Sequence, residues 1–238
     1  PAEVGFKAGG DWYDVIPLAN GDVGLVIGDV AGHGLEAASV MGQLRMAVRA
    51  YALEGHRPAD IVAHADAVLR IVAPQELATI VYAEVDPASG RVGLVSAGHP
   101  PPIVIGADGA RYLEPPRQPP IGVARTSTYG ELVVELDPGT TIVLYTDGLI
   151  DRRDIALDEG MEQLLTASPS LGNSWAGTTI SSARAAARFT GRRFKGTRPC
   201  RRTAFLSLAP LQGIQVHERG DRLAFGIADR HRARVVHS

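Results

Sequence analysis

The sequence predicts an α+β layered sandwich built on antiparallel sheets. Three observations lead there: apolar stretches that alternate in strand fashion around tight turns, one pair of amphipathic helical stretches between two runs of such strands, and no regular strand-helix-strand repeat. Consecutive hairpins pair antiparallel, whereas a doubly wound parallel sheet needs a crossover after each strand.

The opening stretch reads as a hairpin. Trp12 to Leu18 and Val23 to Val30 are apolar and flank Ala19-Asn20-Gly21-Asp22, in which Asn-Gly is the strongest short turn signal. Two helices come next. In the first, Leu35, Ala38, Met41, Leu44, Val48 and Tyr51 recur at spacings of three and four. In the second, with Pro58 in its first turn, Ile61, Val62, Ala65, Val68, Leu69 and Val72 do the same. "ATIVYAEV" and "RVGLVSA" then alternate on either side of the turn Asp86 to Gly90, and Ile103 to Ile105 adds a strand. "ELVVEL" and "TIVLYTDG" are strands joined by Asp137-Pro138-Gly139-Thr140. Beyond Leu165 only a short helix at Ile180 to Phe189 and a strand in "RLAFGIA" stand out.

A chain of 238 residues, 45% apolar and 21% charged, suits one globular domain or one domain with an appendage. No apolar run reaches the roughly 18 residues of a membrane span, and no basic-then-apolar leader opens the sequence, so a soluble, cytoplasmic protein with no membrane partner is expected. Cys200 is the single cysteine, which excludes an internal disulfide. It is not a nucleophile of the Cys-x5-Arg type either, because Leu206 stands six positions on. Charge divides the chain: residues 1–165 carry 23 acidic and 11 basic side chains, residues 166–238 carry 3 and 13. We read 1–165 as the core and 166–238 as an atypical basic segment that supplies a last strand near 220–228. Aromatic residues are sparse among its arginines, so no nucleic-acid partner is expected.

The candidate chemistry begins with "VGLVIGDVAGHGLEAA". Gly32-His33-Gly34-Leu35-Glu36-Ala37 fits the Gly-x-Gly-x-x-Ala loop of dinucleotide-binding folds, but a second helix and then a hairpin come after it, where that fold requires a returning parallel strand. A carboxylate reading explains more. Asp29 ends one apolar strand stretch and Asp147 another, while Asp11 and Asp14 lie beside Gly9 and Gly10 at the start of the first hairpin. Carboxylates without His or Cys partners select hard cations, Mg²⁺ or Mn²⁺ and not Zn²⁺.

Five motifs, "GGDWYD", "GDVAGHGLEAA", "SAGHPPP", "PPIGV" and "LYTDGLID", occur in this order between Gly9 and Leu165. In order and spacing the chain resembles the metal-dependent serine/threonine phosphatases of the protein phosphatase 2C class. The match is to their bacterial branch, similar to the sporulation stage II protein E phosphatase and the stress-response phosphatases that act on anti-anti-sigma factors. The resemblance implies a four-layer α-β-β-α sandwich and two Mn²⁺ or Mg²⁺ ions. It implies that Asp29 bridges both ions, that the Val30 carbonyl is a further ligand, that Asp147 binds one ion, and that Asp14 and Asp11 bind a metal or its waters. It also implies a phosphorylated anti-anti-sigma-type protein as substrate, and a sensor domain ahead of the eight residues that precede Gly9.

His33, beside the presumed metal loop, is either a proton donor to the leaving seryl or threonyl oxygen or a residue fixing the helix start. His99 is read as structural. In this branch the last strand is introduced by Asp-Asp; here Asp221 fits the first acid and Arg222 replaces the second. The stretch from Thr166 to about Gln215 matches nothing in the family, and its Arg, Ala, Ser, Gly and Pro bias is that of a high-GC gene read out of frame. Resequencing around codons 160–175 tests this: an intact frame removes the idea. The leading reading is therefore a metal-dependent protein phosphatase. A catalytically weakened, partner-binding domain is the alternative, and a nucleotide-binding oxidoreductase comes third.

Overall fold

A computed structural model describes residues 9–123, 128–150, 155–175, 203–207, 214–218 and 222–227. The expected strand at "RLAFGIA" is among them; Asp221 and the expected helix at 180–189 lie outside them. The chain forms two compact units. One comprises Pro1–Pro100 with Glu114–Glu135, the other Pro101–Leu113 with Leu136–Ser238.

The first unit holds β1 (Gly9–Pro17), β2 (Val23–His33), β3 (Ala78–Val85), β4 (Arg91–Ala97) and β7 (Leu132–Glu135), which form an antiparallel sheet in the order β1-β2-β3-β4-β7. The Asn-Gly turn closes the first hairpin as predicted, with Gly21 at φ 92° and the Asp22 N–H donating to Asn20 Oδ1 at 3.0 Å. Helices α1 (Leu35–Leu53) and α2 (Pro58–Val72) cover one face of the sheet. Trp12, Ile16, Val26, Val30, Ile80, Tyr82 and Val95 turn to that face and pack with Leu44, Val48, Ile61 and Leu69. Each such side chain contributes about 1.5–3 kcal/mol by leaving water.

The expected stripe of α1 holds at Leu44 and Val48, which are fully buried, and at Met41 and Tyr51, which pack against the core from partly buried positions; it fails at Leu35. Ala37, Val40, Leu44, Val48 and Ala52 face the core, while Leu35 is 85% exposed. Gly34, at φ 91°, turns the chain into the helix with Leu35 toward solvent, so the first core-facing residue of α1 is Ala37. Midway along α2, Asp66 is fully buried, pairs with Arg70 and accepts the Gly122 N–H at 2.7 Å, which ties the helix to the "PPIGV" segment.

A strand position at the opposite end of the sheet gives a pH test. Burial, then the charge of Asp22, push the Glu84 carboxyl above its ordinary range. Between the unfolded and folded values the folded chain therefore holds this proton more tightly than the unfolded chain does. The resulting stability is full below the unfolded carboxylate range and is lost as pH rises through the folded value. Glu84→Gln is expected to raise the melting temperature by about 2 °C at pH 7.5 and to leave it unchanged at pH 4, read by thermal melts at both pH values.

The second unit holds β5 (Ile103–Gly106), β6 (Gly109–Tyr112), β8 (Thr141–Tyr145), β9 (Thr203–Ser207), β10 (Ile214–Glu218) and β11 (Arg222–Ile227), in the order β10-β11-β9-β8-β5-β6. All pairs are antiparallel except β9–β11. Helix α3 (Leu157–Trp175) packs on this sheet through Met161, Leu164 and Leu165, and Tyr112 donates its hydroxyl to the Met161 carbonyl at 2.7 Å. The core boundary expected at 165 falls inside α3. Strands β7 and β8 are joined by one tight turn yet belong to different sheets, which corrects the hairpin expected there. Their burial shows why: β7 alternates as a half-covered edge, whereas every residue of β8 is buried. Among the described residues no helix is long and apolar enough to cross a membrane.

Candidate functional site

Register builds the site. Asp11 of β1 lies directly opposite Asp29 of β2, and on the other side of β2 Asp29 lies opposite Thr79 of β3. Residues opposed in this way share a face, with Cβ atoms about 4.5–5.5 Å apart. Trp12, Val26, Val30 and Ile80 turn toward the helices, so Asp11, Asp29 and Thr79 turn to the other face as a row across three strands. Asp11 is 4% exposed and Asp29 half-buried.

Asp29 does not end its strand, as the sequence suggested; β2 runs on to His33. A bulge comes directly after Asp29, since the register jumps from Asp11↔Asp29 to Gly9↔His33. Bulges re-aim side chains and main-chain groups at functional sites. Gly10 sits against it so tightly that a Cβ there would lie 2.1 Å from the Val30 carbonyl oxygen. His33 is exposed at the far end of the bulge.

The structure does not bring Asp14 to Asp29. Three residues beyond Asp11 on a strand, it projects from the opposite face, where it is 7% exposed and accepts hydrogen bonds from Arg49 at 2.6 Å and Arg45 at 3.3 Å of α1. Asp14→Asn is accordingly expected to cost about 1–3 kcal/mol of stability while leaving Mn²⁺ binding unchanged. Thermal melts and a metal titration check it. Weakened Mn²⁺ binding at an unaltered melting temperature would return Asp14 to the ligand set.

Asp147 stands in the second unit, exposed, at the start of a 3₁₀ turn Asp147–Leu149 just after β8, and its carbonyl accepts the Ile150 N–H at 2.8 Å. Asp221 precedes β11, and β9 lies between β11 and β8. Register places Arg222, Thr203 and Tyr145 side by side, so the strand flanking the Asp147 end of β8 is β9, which Arg201 and Arg202 precede in sequence. His99 is 8% exposed and its Nδ1 lies 2.8 Å from Thr79 Oγ1. Nothing in "ATIVYAEV" marked Thr79 as part of a site; only strand pairing puts it beside Asp29.

The donor set fits a hard divalent cation. Like charges directly opposed across two strands repel, and a cation between them reverses the sign of that interaction. Carboxylate and main-chain oxygens are the ligands that Mg²⁺ and Mn²⁺ take. Among the described residues no group of three or more His, Cys, Asp or Glu converges, so the row supplies two carboxylates and not a complete cage.

Fold and site together define the class. The chain is similar to the SiaA-PP2C domain of Pseudomonas aeruginosa (TM-score 0.62, 20% identity, 81% of this chain and 77% of that one), and the fold is the α+β fold of the protein phosphatase 2C class. Within that class the chain belongs to the SpoIIE family: the model of stage II sporulation protein E matches residues 19–190, more than half of its length. It is 27% identical to phosphoserine phosphatase RsbP of Bacillus subtilis, over 60% of this chain and 36% of RsbP. It is 36% identical to the RsbU and RsbW domains of Rv1364c from Mycobacterium tuberculosis (TM-score 0.66), over 73% of this chain and 49% of that structure. The chain thus spans less than half of either relative.

Proposed function

We propose that this chain hydrolyses phosphoserine or phosphothreonine on a protein in the cytoplasm, with two Mn²⁺ or Mg²⁺ ions for which Asp11, Asp29 and the Val30 carbonyl are the ligands in the first unit; Asp147, in the second unit, is a further candidate ligand. The observation that carries the reading is the directly opposed Asp11–Asp29 pair beside the Gly10–Val30 bulge. When bound, such ions lower the pKa of a shared water and neutralise the phosphoryl oxygens. The chain's own part is to hold the two carboxylates in register, to keep side chains away from the Val30 carbonyl through Gly10, and to offer His33 as a proton donor to the leaving oxygen.

A small anti-anti-sigma-type phosphoprotein is the proposed substrate, and an N-terminal sensor domain the proposed regulator. The names of RsbP, a phosphoserine phosphatase, and of the RsbU and RsbW domains support placing the chain in such a circuit. The test is phosphate release from p-nitrophenyl phosphate and from a phosphoserine peptide, with Mn²⁺ titrated from zero. No release at any Mn²⁺ concentration rejects the hydrolase.

One observation favours a second reading, a weakened domain that binds a partner without turnover: the strand flanking Asp147 is preceded in sequence by Arg201 and Arg202 and not by carboxylates. It predicts capture of the phosphoprotein with none of its phosphate released. An anomalous-scattering map from Mn²⁺-soaked crystals counts the ions and shows whether Asp221 reaches one.

A further inference from the structure

Behind the carboxylate row stands a built hydrogen-bonded pair. The ring of His99 is buried, and its Nδ1 lies 2.8 Å from the hydroxyl of Thr79, the cross-strand neighbour of Asp29. The place of that ring is fixed three times over. Ser96 Oγ donates to the His99 carbonyl at 3.2 Å. The Gly98 N–H donates to the Gln118 carbonyl at 2.9 Å. Gly98 itself turns at φ +66° against Pro120, where a Cβ would lie 2.5 Å from the proline ring. A loop pinned in this way, ending in a buried ring aimed at a strand hydroxyl, exceeds what a turn between β4 and β5 requires.

We propose that Thr79 and His99 are positioning residues for the Asp29 carboxylate. A hydroxyl has one proton to give and two lone pairs. With His99 donating its Nδ1–H to Thr79 Oγ1, the Thr79 proton is left to donate toward the adjacent carboxylate of Asp29, which accepts only. The chain His99 to Thr79 to Asp29 then selects one ring tautomer and one carboxylate rotamer, as partners behind metal ligands do. The inference rests on the reading of Asp29 as a metal ligand and adds the residues that aim it.

The test is Mn²⁺ binding, by titration calorimetry on folded protein, alongside phosphate release. Thr79→Val, which keeps the shape and loses the hydroxyl, is expected to weaken Mn²⁺ binding by about tenfold, and Thr79→Ser to restore it. His99→Ala should weaken it similarly, and the double variant should be no weaker than Thr79→Val alone, because the two act as one unit. Activity should fall through a higher Mn²⁺ requirement, with the rate at saturating Mn²⁺ largely recovered. Wild-type affinity in Thr79→Val, with affinity lost in Asp29→Asn, overturns the positioning role and leaves the metal site standing. Wild-type affinity in Asp29→Asn overturns both. Should Thr79→Val not fold, His99→Ala and His99→Gln, which leave β3 untouched, decide the same question.

Discussion

Asp29→Asn is expected to abolish Mn²⁺-dependent phosphate release, by about 10³-fold or more, and yet to leave the metal-free protein at least as stable as the wild type. The two effects have one cause. Asp11 and Asp29 oppose each other on neighbouring strands, so removing one charge relieves a repulsion of about 0.2–1 kcal/mol when no ion is present. With ions present the same charge would, on the proposed function, contribute several kcal/mol of transition-state stabilisation, and each 1.36 kcal/mol is tenfold in rate. Melting curves in chelator and in Mn²⁺, run beside the phosphate assay, separate them. Mn²⁺ is expected to raise the melting temperature of the wild type by mass action and not that of the variant. Retained activity in Asp29→Asn would remove the basis of the metal site, whatever the fold.

The largest expected loss of stability is at Trp12. Its ring is fully buried over Gly28, where a Cβ would lie 2.3 Å from a ring carbon, so the cross-strand pair is fitted without room for a side chain on β2. Trp12→Ala is expected to cost about 3–5 kcal/mol, which for a domain of this size lowers the melting temperature by about 10 °C. Trp12→Phe should cost much less. It keeps an aromatic ring and removes an indole N–H that is buried with no hydrogen-bond partner among the described residues. Thermal melts of the two variants check the pair; equal losses would mean that the N–H is satisfied in solution.

Local chemistry made much of this molecule legible. The Asn20-Gly21 turn, Pro58 in the first turn of α2 and the alternation of β3 and β4 each arise from near neighbours in the chain, and each forms as read. Helix α3 had a readable signal, Asp158 and Glu159 in its first turn with Met161, Leu164 and Leu165 at helical spacing, which the bias of the residues after it masked. β6, β9 and β10 are short, and their apolar content alone does not separate them from loop.

Of the site, the sequence determined the residue types: acids beside glycines, with no cysteine or histidine cluster, and hence a preference for hard cations. Tertiary structure decided which acids meet. Asp11 and Asp14 are three apart, and on a strand that spacing sends them to opposite faces, one to Asp29 and the other to Arg45 and Arg49. It decided as well that Thr79, with the His99 ring on its hydroxyl, lies directly opposite Asp29. The reason is that pairing partners on neighbouring strands are remote in the chain, so no local pattern of spacing or propensity records them.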